Sequence, residues 1–155
     1  LDSVDLYRLD VRTGERRLIT EERPPLTASW VLDRDLAPRV VTTWIEDTLE
    51  YVVQYRRDGK SPWTELARYD ITKGPTFVPL AFEADNRTLQ VAYNGGRNTM
   101  AIYRYDPEAK KLGEMVAQHP RYDMGADASG APTGGIVRDA TPIVSTGASA
   151  GLTLL

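Results

Sequence analysis

The chain has no cysteine in its 155 residues, which excludes disulfides, thiolate metal sites and cysteine nucleophiles. It has one histidine, His119, so a polyhistidine metal site cannot form within one copy. It has no excess of basic charge: 19 Lys+Arg stand against 22 Asp+Glu, a net charge of −3. Such a balance provides no field for nucleic acid. No apolar run approaches the roughly 18 residues of a membrane span. Nothing at the start resembles a signal peptide, and the first residue is Leu1. The chain therefore reads as an excised or processed piece. What is present is an ordinary globular balance, 41% hydrophobic and 26% charged.

The informative feature is a repeat. Tyr7-Arg8-Leu9-Asp10, Tyr55-Arg56-Arg57-Asp58 and Tyr103-Arg104-Tyr105-Asp106 share the pattern Tyr-Arg-x-Asp, and both intervals are 48 residues. Leu18 and Leu66 keep the same interval, as do Arg39 and Arg87. Val31-Leu32-Asp33-Arg34-Asp35 resembles Ala81-Phe82-Glu83-Ala84-Asp85 at a shift of 50, which implies a small insertion between units.

Within a unit the hydrophobic period is two. Leu49, Tyr51, Val53 and Tyr55 alternate with Glu50, Val52, Gln54 and Arg56, and Leu89, Val91 and Tyr93 alternate in the same way. Val40 to Ile45 is rich in β-branched and aromatic residues, which suit a pleated surface. Turn signals separate the runs, among them Asp58-Gly59-Lys60-Ser61-Pro62, Asn94-Gly95-Gly96 and Asp106-Pro107-Glu108. No stretch has a convincing helical period. The spacing predicts strands at 27–32, 37–45, 49–57 and 63–69, then at 77–83, 87–94, 99–105 and 111–117.

Four antiparallel strands in about 48 residues is the size of a β-propeller blade. The expectation is an all-β chain of about three four-stranded antiparallel blades, incomplete as a closed ring. Residues 1–26 would end one blade, 27–72 form a second and 73–123 a third, with a loop at 124–135 and the start of a further blade at 136–155. The repeated Tyr would pack between blades, and the repeated Asp would open the hairpin to the outermost strand. Three blades leave two open edges and an exposed apolar interface, so the chain is expected to be a fragment, with the missing blades supplied by the parent or by another chain.

The succession from Tyr7-Arg8-Leu9-Asp10 to His119-Pro120-Arg121-Tyr122-Asp123 resembles the propeller of prolyl-oligopeptidase-type serine peptidases. More narrowly, it resembles bacterial dipeptidyl-aminopeptidase or acylaminoacyl-peptidase proteins. The resemblance is carried by Ser29-Trp30-Val31-Leu32-Asp33, Pro79 to Asp85, Ala101 to Pro107, and Leu112-Gly113-Glu114. It implies a propeller covering a separate α/β-hydrolase domain, which would hold the catalytic Ser, Asp and His. This chain would then carry no catalytic, cofactor or metal residue. Its role would be steric, admitting short unfolded peptides and excluding folded proteins. Its partners would be the parent's hydrolase domain and that domain's peptide substrate, and the resemblance favours an exported protein. In dipeptidyl-peptidase relatives a Glu pair of the propeller binds the substrate amine. Glu21-Glu22 is the one adjacent Glu pair here, but it lacks the aromatic, acidic context of that motif and reads as a solvated loop. The alternative is an independent propeller scaffold that binds a protein or glycan partner through its loops.

Other motifs carry less. Gly147-Ala148-Ser149-Ala150-Gly151 matches the G-x-S-x-G nucleophile elbow, but only Leu152 to Leu155 follow, and no Asp or His lies downstream. Thr141 to Thr146 instead resembles Ala37 to Thr42, which makes Gly147 to Gly151 a turn between strands. Asp33, Asp35, Glu83, Asp85, Asp123 and Asp127 sit in expected turns, and Asp123, Asp127 and Asp139 are too scattered for a calcium loop. A glycosidase pair needs two carboxylates at a defined separation, which sequence cannot show. Trp30, Trp44 and Trp63 are expected between blades, and Arg16-Arg17 and Lys110-Lys111 on outer edges.

Overall fold

The computed structural model describes residues 3–126 and the strand residues 132–134. Every regular element among them is a strand. A first hairpin joins β1 (Tyr7–Leu9) to β2 (Arg16–Leu18). β3 (Thr27–Leu32), β4 (Pro38–Trp44), β5 (Glu50–Tyr55) and β6 (Thr64–Asp70) then form an antiparallel meander in chain order. A second meander follows with the same order, from β7 (Phe77–Phe82) through β8 (Leu89–Tyr93) and β9 (Ala101–Asp106) to β10 (Lys111–Ala117). The eight strand expectations for these two sheets agree with the structure to within about two residues at each end, ordinary fraying for strand boundaries. The sheets are four-stranded, blade-like and not closed into a ring.

The stretch expected to be a loop after residue 123 contains pairing of its own. β11 (Met124–Ala126) runs antiparallel to β12 (Pro132–Gly134), and the Met124 amide donates to the Met100 carbonyl at 3.0 Å. Its Gly- and Ala-rich composition hid the strands, because such residues lack the branched side chains that mark a pleated surface. The expected further strand near Ile136-Val137 lies outside the described residues.

Burial grades across each meander. Every residue of β4 from Pro38 to Thr43 is buried, so this strand has protein on both faces. The outermost strand β10 is exposed along most of its length. Pro79 lies in β7, which is an edge strand, so its missing amide breaks no ladder bond to a further strand. Val31, Val40, Val53 and Tyr55 of the first meander meet Phe77, Phe82, Leu89, Val91 and Tyr105 of the second in one hydrophobic cluster. Phe77 and Tyr105 touch edge to face, with ring centroids 5.0 Å apart.

The insertion inferred between units lies within β7, where the register shifts between Pro79 and Ala81, and the turn after it adds one residue more. In the first meander the Asp33 amide donates to the Ala37 carbonyl; in the second the Glu83 amide donates to the Thr88 carbonyl, one residue further on. Both turns carry a left-handed residue at the same point, Leu36 with φ 63° and Asn86 with φ 58°.

Candidate functional site

The repeated tetrapeptide occupies one place in the strand framework. Val31, Val40 and Tyr55 form a rung across the first meander, and Pro79, Val91 and Tyr103 form the equivalent rung across the second. The aspartate does the same job three times. Asp10 Oδ1 accepts the amides of Arg12 and Thr13 at 2.8 and 3.3 Å. Asp58 Oδ1 accepts those of Lys60 and Ser61 at 2.8 and 2.9 Å. Asp106 Oδ1 accepts those of Glu108 and Ala109, both at 2.9 Å. A short side chain that satisfies the next two or three amides is what turns the chain into the outer strand. The amides of Lys60 and Ser61 hold the Asp58 carboxyl below its ordinary value of 3.8.

The tyrosines share a position and differ in surroundings. Tyr55 is buried between the meanders, as expected. Tyr103 is half-buried against Tyr93 and the edge of the same cluster. Tyr7 is 52% exposed, because no described sheet covers that face of the first hairpin. The arginines diverge further. Arg56 lies over the Trp63 ring at 4.4 Å, whereas Arg104 pairs with Glu83 at 2.8 Å and Glu114 at 2.7 Å.

A polar seam crosses between the two meanders at their turn ends, and sequence reasoning did not find it. Its centre is Arg39, 8% exposed. Its guanidinium donates to the Tyr55 hydroxyl at 2.6 Å and to the Asn86 carbonyl at 3.0 Å, and lies 3.6 Å from Asp33. It also sits over the Tyr55 and Phe82 rings, at 5.3 and 4.9 Å. Burial pushes the Tyr55 hydroxyl above its ordinary value of 10.0, although Arg39 pulls the other way. Asn86 Oδ1 accepts the Arg34 amide at 2.7 Å, and its Nδ2 donates to Asp35 at 2.9 Å. Arg57 closes the seam with a two-bond fork to Glu108, at 2.8 and 2.9 Å. These cross-sheet partners stand 47 to 52 residues apart, about one repeat. The available signal was Arg39 itself, a charged residue between Pro38 and Val40 at the start of a β-branched run.

The remaining candidates are distributed as follows. Asp33 is buried and accepts the amides of Asp35 and Ala37 at 3.0 and 2.9 Å, so it builds its turn. Asp85 does the same for Arg87 and Thr88, both at 2.9 Å. Asp123 accepts the Met100 amide at 2.8 Å. His119 stacks on Tyr122, with ring centroids 4.7 Å apart, and its Nδ1 accepts the Arg121 amide at 3.2 Å. Trp30 and Trp63 touch at 5.9 Å and are half-buried, as is Trp44. Arg16, Arg17, Lys110 and Lys111 are exposed, as expected of outer edges. Glu21 and Glu22 are exposed on the lip of a cleft of about 420 Å³ that they share with Arg8, Arg17, Trp30 and Arg56. Among the described residues no three His, Asp or Glu side chains come together to hold a metal ion. Ser149 with its flanking glycines, Asp127 and Asp139 lie outside the described residues.

The chain is similar to dipeptidyl aminopeptidase BIII of Pseudoxanthomonas mexicana, 25% identical over 139 residues. That stretch takes in 84% of the chain and 18% of the enzyme, so the chain spans under a fifth of its relative's length. No family model and no solved structure matches. These findings establish a distant relation to peptidase-family proteins.

Proposed function

We propose that the chain is a run of blades from the β-propeller of a prolyl-oligopeptidase-type serine peptidase. It carries none of the chemistry and acts as the steric gate over a separate α/β-hydrolase domain. The observation that carries this reading is the seam of cross-sheet bonds between partners about 48 residues apart. Stacked units of one kind bury each other's apolar faces, and contacts recurring at the repeat distance are the mark of such stacking. The distant similarity to a dipeptidyl aminopeptidase supports a peptidase-related parent. A ring of rigid, mutually bonded sheets would restrict entry by size, admitting an extended peptide and excluding a folded domain.

The test is the parent open reading frame and its product. The reading requires an α/β-hydrolase segment with its own Ser, Asp and His. The isolated 155-residue chain should then resist labelling by a fluorophosphonate probe, and Ser149→Ala in the parent should leave turnover of a short peptide unchanged. Labelling of the isolated chain, or a parent without a hydrolase segment, would overturn the reading.

A further inference from the structure

The cleft between the first hairpin and the first meander contains a charge arrangement that the propeller reading does not use. Arg8 and Arg17 are direct partners in the β1–β2 register, so two guanidinium groups stand opposite each other on one face. Like charges at directly opposed positions destabilise an antiparallel pair. Among the described residues neither arginine takes part in an ion pair. Both line the cleft with Arg56, whose guanidinium is held in place by the Pro38 carbonyl at 2.9 Å, the Gly59 carbonyl at 3.2 Å and the Trp63 ring. Trp30 forms part of the wall, its indole N–H tied to the Val4 carbonyl at 2.8 Å.

We propose that this cleft binds the carboxylate of a peptide, drawn in by the opposed Arg8–Arg17 pair. Charge decides the class of anion. Among the lining side chains three guanidinium groups stand with two carboxylates, Glu21 and Glu22, a surplus of one positive charge. One carboxylate neutralises it; a phosphate dianion overshoots and meets both glutamates. Size decides the rest of the ligand. A volume near 420 Å³ is room for a short peptide rather than a bare ion, and Trp30 offers its flat ring to a side chain or backbone. The site stands whether or not the parent is a peptidase.

The test is calorimetric titration of the 155-residue chain with N-acetyl-trialanine, its C-terminal amide, N-acetyl-Ala-Glu-Ala amide and inorganic phosphate. The free acid should bind saturably and the trialanine amide should not, with phosphate at least tenfold weaker than the acid. Binding of the Glu peptide amide would assign the site to acidic side chains as well as to chain ends; its failure would restrict the site to C-termini. Arg8→Gln with Arg17→Gln should weaken the acid at least tenfold, and the ligand-free double variant should melt no lower than the parent chain, since the opposed charges are gone. If the double variant does not fold, Arg17→Gln alone serves, with the same two expectations. Equal binding of acid and trialanine amide, tighter binding of phosphate, undiminished binding by the variant, or no saturable binding of the acid would each overturn the proposal.

Discussion

The two four-stranded meanders have the same strand order and diverge at equivalent rungs. Leu32 pairs with Pro38 where Phe82 pairs with Leu89, so Arg39 and Gln90 hold the same position one unit apart. Arg39 is fully engaged, whereas Gln90 has a buried Oε1 with no hydrogen-bond partner. One strand along, Gln54 of the first meander has an unpartnered buried Oε1, and the second places the fully buried Ile102 at the equivalent rung. Repetition therefore supplies the frame, while each interface assigns its own polar chemistry to that frame. A side chain is bonded or stranded according to what the neighbouring unit brings, not according to its place in the period.

The sharpest way to break this asymmetry is Arg39→Ala. It strands the buried Asp33 carboxylate and removes the bonds to Tyr55 and Asn86, and losing one member of a buried pair costs about 3–5 kcal/mol. Chemical denaturation should show it, and a loss below about 1 kcal/mol would mean that the seam is ornamental. Next comes the tyrosine pair. Tyr55→Phe should cost about 1.5–3 kcal/mol, because the lost bond is to a charged donor, whereas Tyr103→Phe should be close to neutral. Equal effects in the same denaturation series would erase the distinction between the two units. Gln54→Ile copies the second meander into the first. By removing a stranded buried carbonyl it should raise stability by about 1 kcal/mol, read as a higher denaturation midpoint.

The turn residues allow a finer comparison. Leu36 and Asn86 are both left-handed, and Leu36 is 60% exposed. Asn tolerates that conformation better than Leu, so Leu36→Asn should stabilise by roughly 0.5–1 kcal/mol, visible as a small rise in Tm. The smallest effect is acid dependence at the hairpin. The Asp58 carboxyl lies below its ordinary 3.8 in the folded chain, so its contribution is present above that value and is lost as pH falls through the lower folded value. Stability measured from pH 5 downward should fall less steeply in Asp58→Asn, and an unchanged slope would remove the carboxylate from the turn's energetics.

Several of these features were legible in the residues. The period of two located all eight strands of the meanders, and Asp58 and Asp106 announced their hairpins, since an aspartate bonds amides only two or three positions away. Tyr55 was read correctly as an interface residue, whereas Tyr7 is exposed on a face that no described sheet covers. Arg39 was visible only as a spacing match to Arg87, and even that equivalence is displaced. Two extra residues in β7 and one in the turn at Asp85-Asn86 together move the second meander's register by three, so Gln90 rather than Arg87 stands at the Arg39 rung. The Glu21–Glu22 loop is exposed as read, yet the arginines opposite it come from a different hairpin and a different strand.

The residues alone settled what is decided locally: strand period, turn chemistry, the absence of helix from the described chain, and a unit about 48 residues long. Tertiary packing decided which of two equivalent tyrosines is buried, which arginine finds a carboxylate, and which buried side-chain oxygens are left without a donor. The physical reason is distance along the chain. Backbone and turn preferences act over a few residues, whereas burial and ion pairing here join groups about 50 residues apart, and only the folded arrangement of consecutive units brings them together.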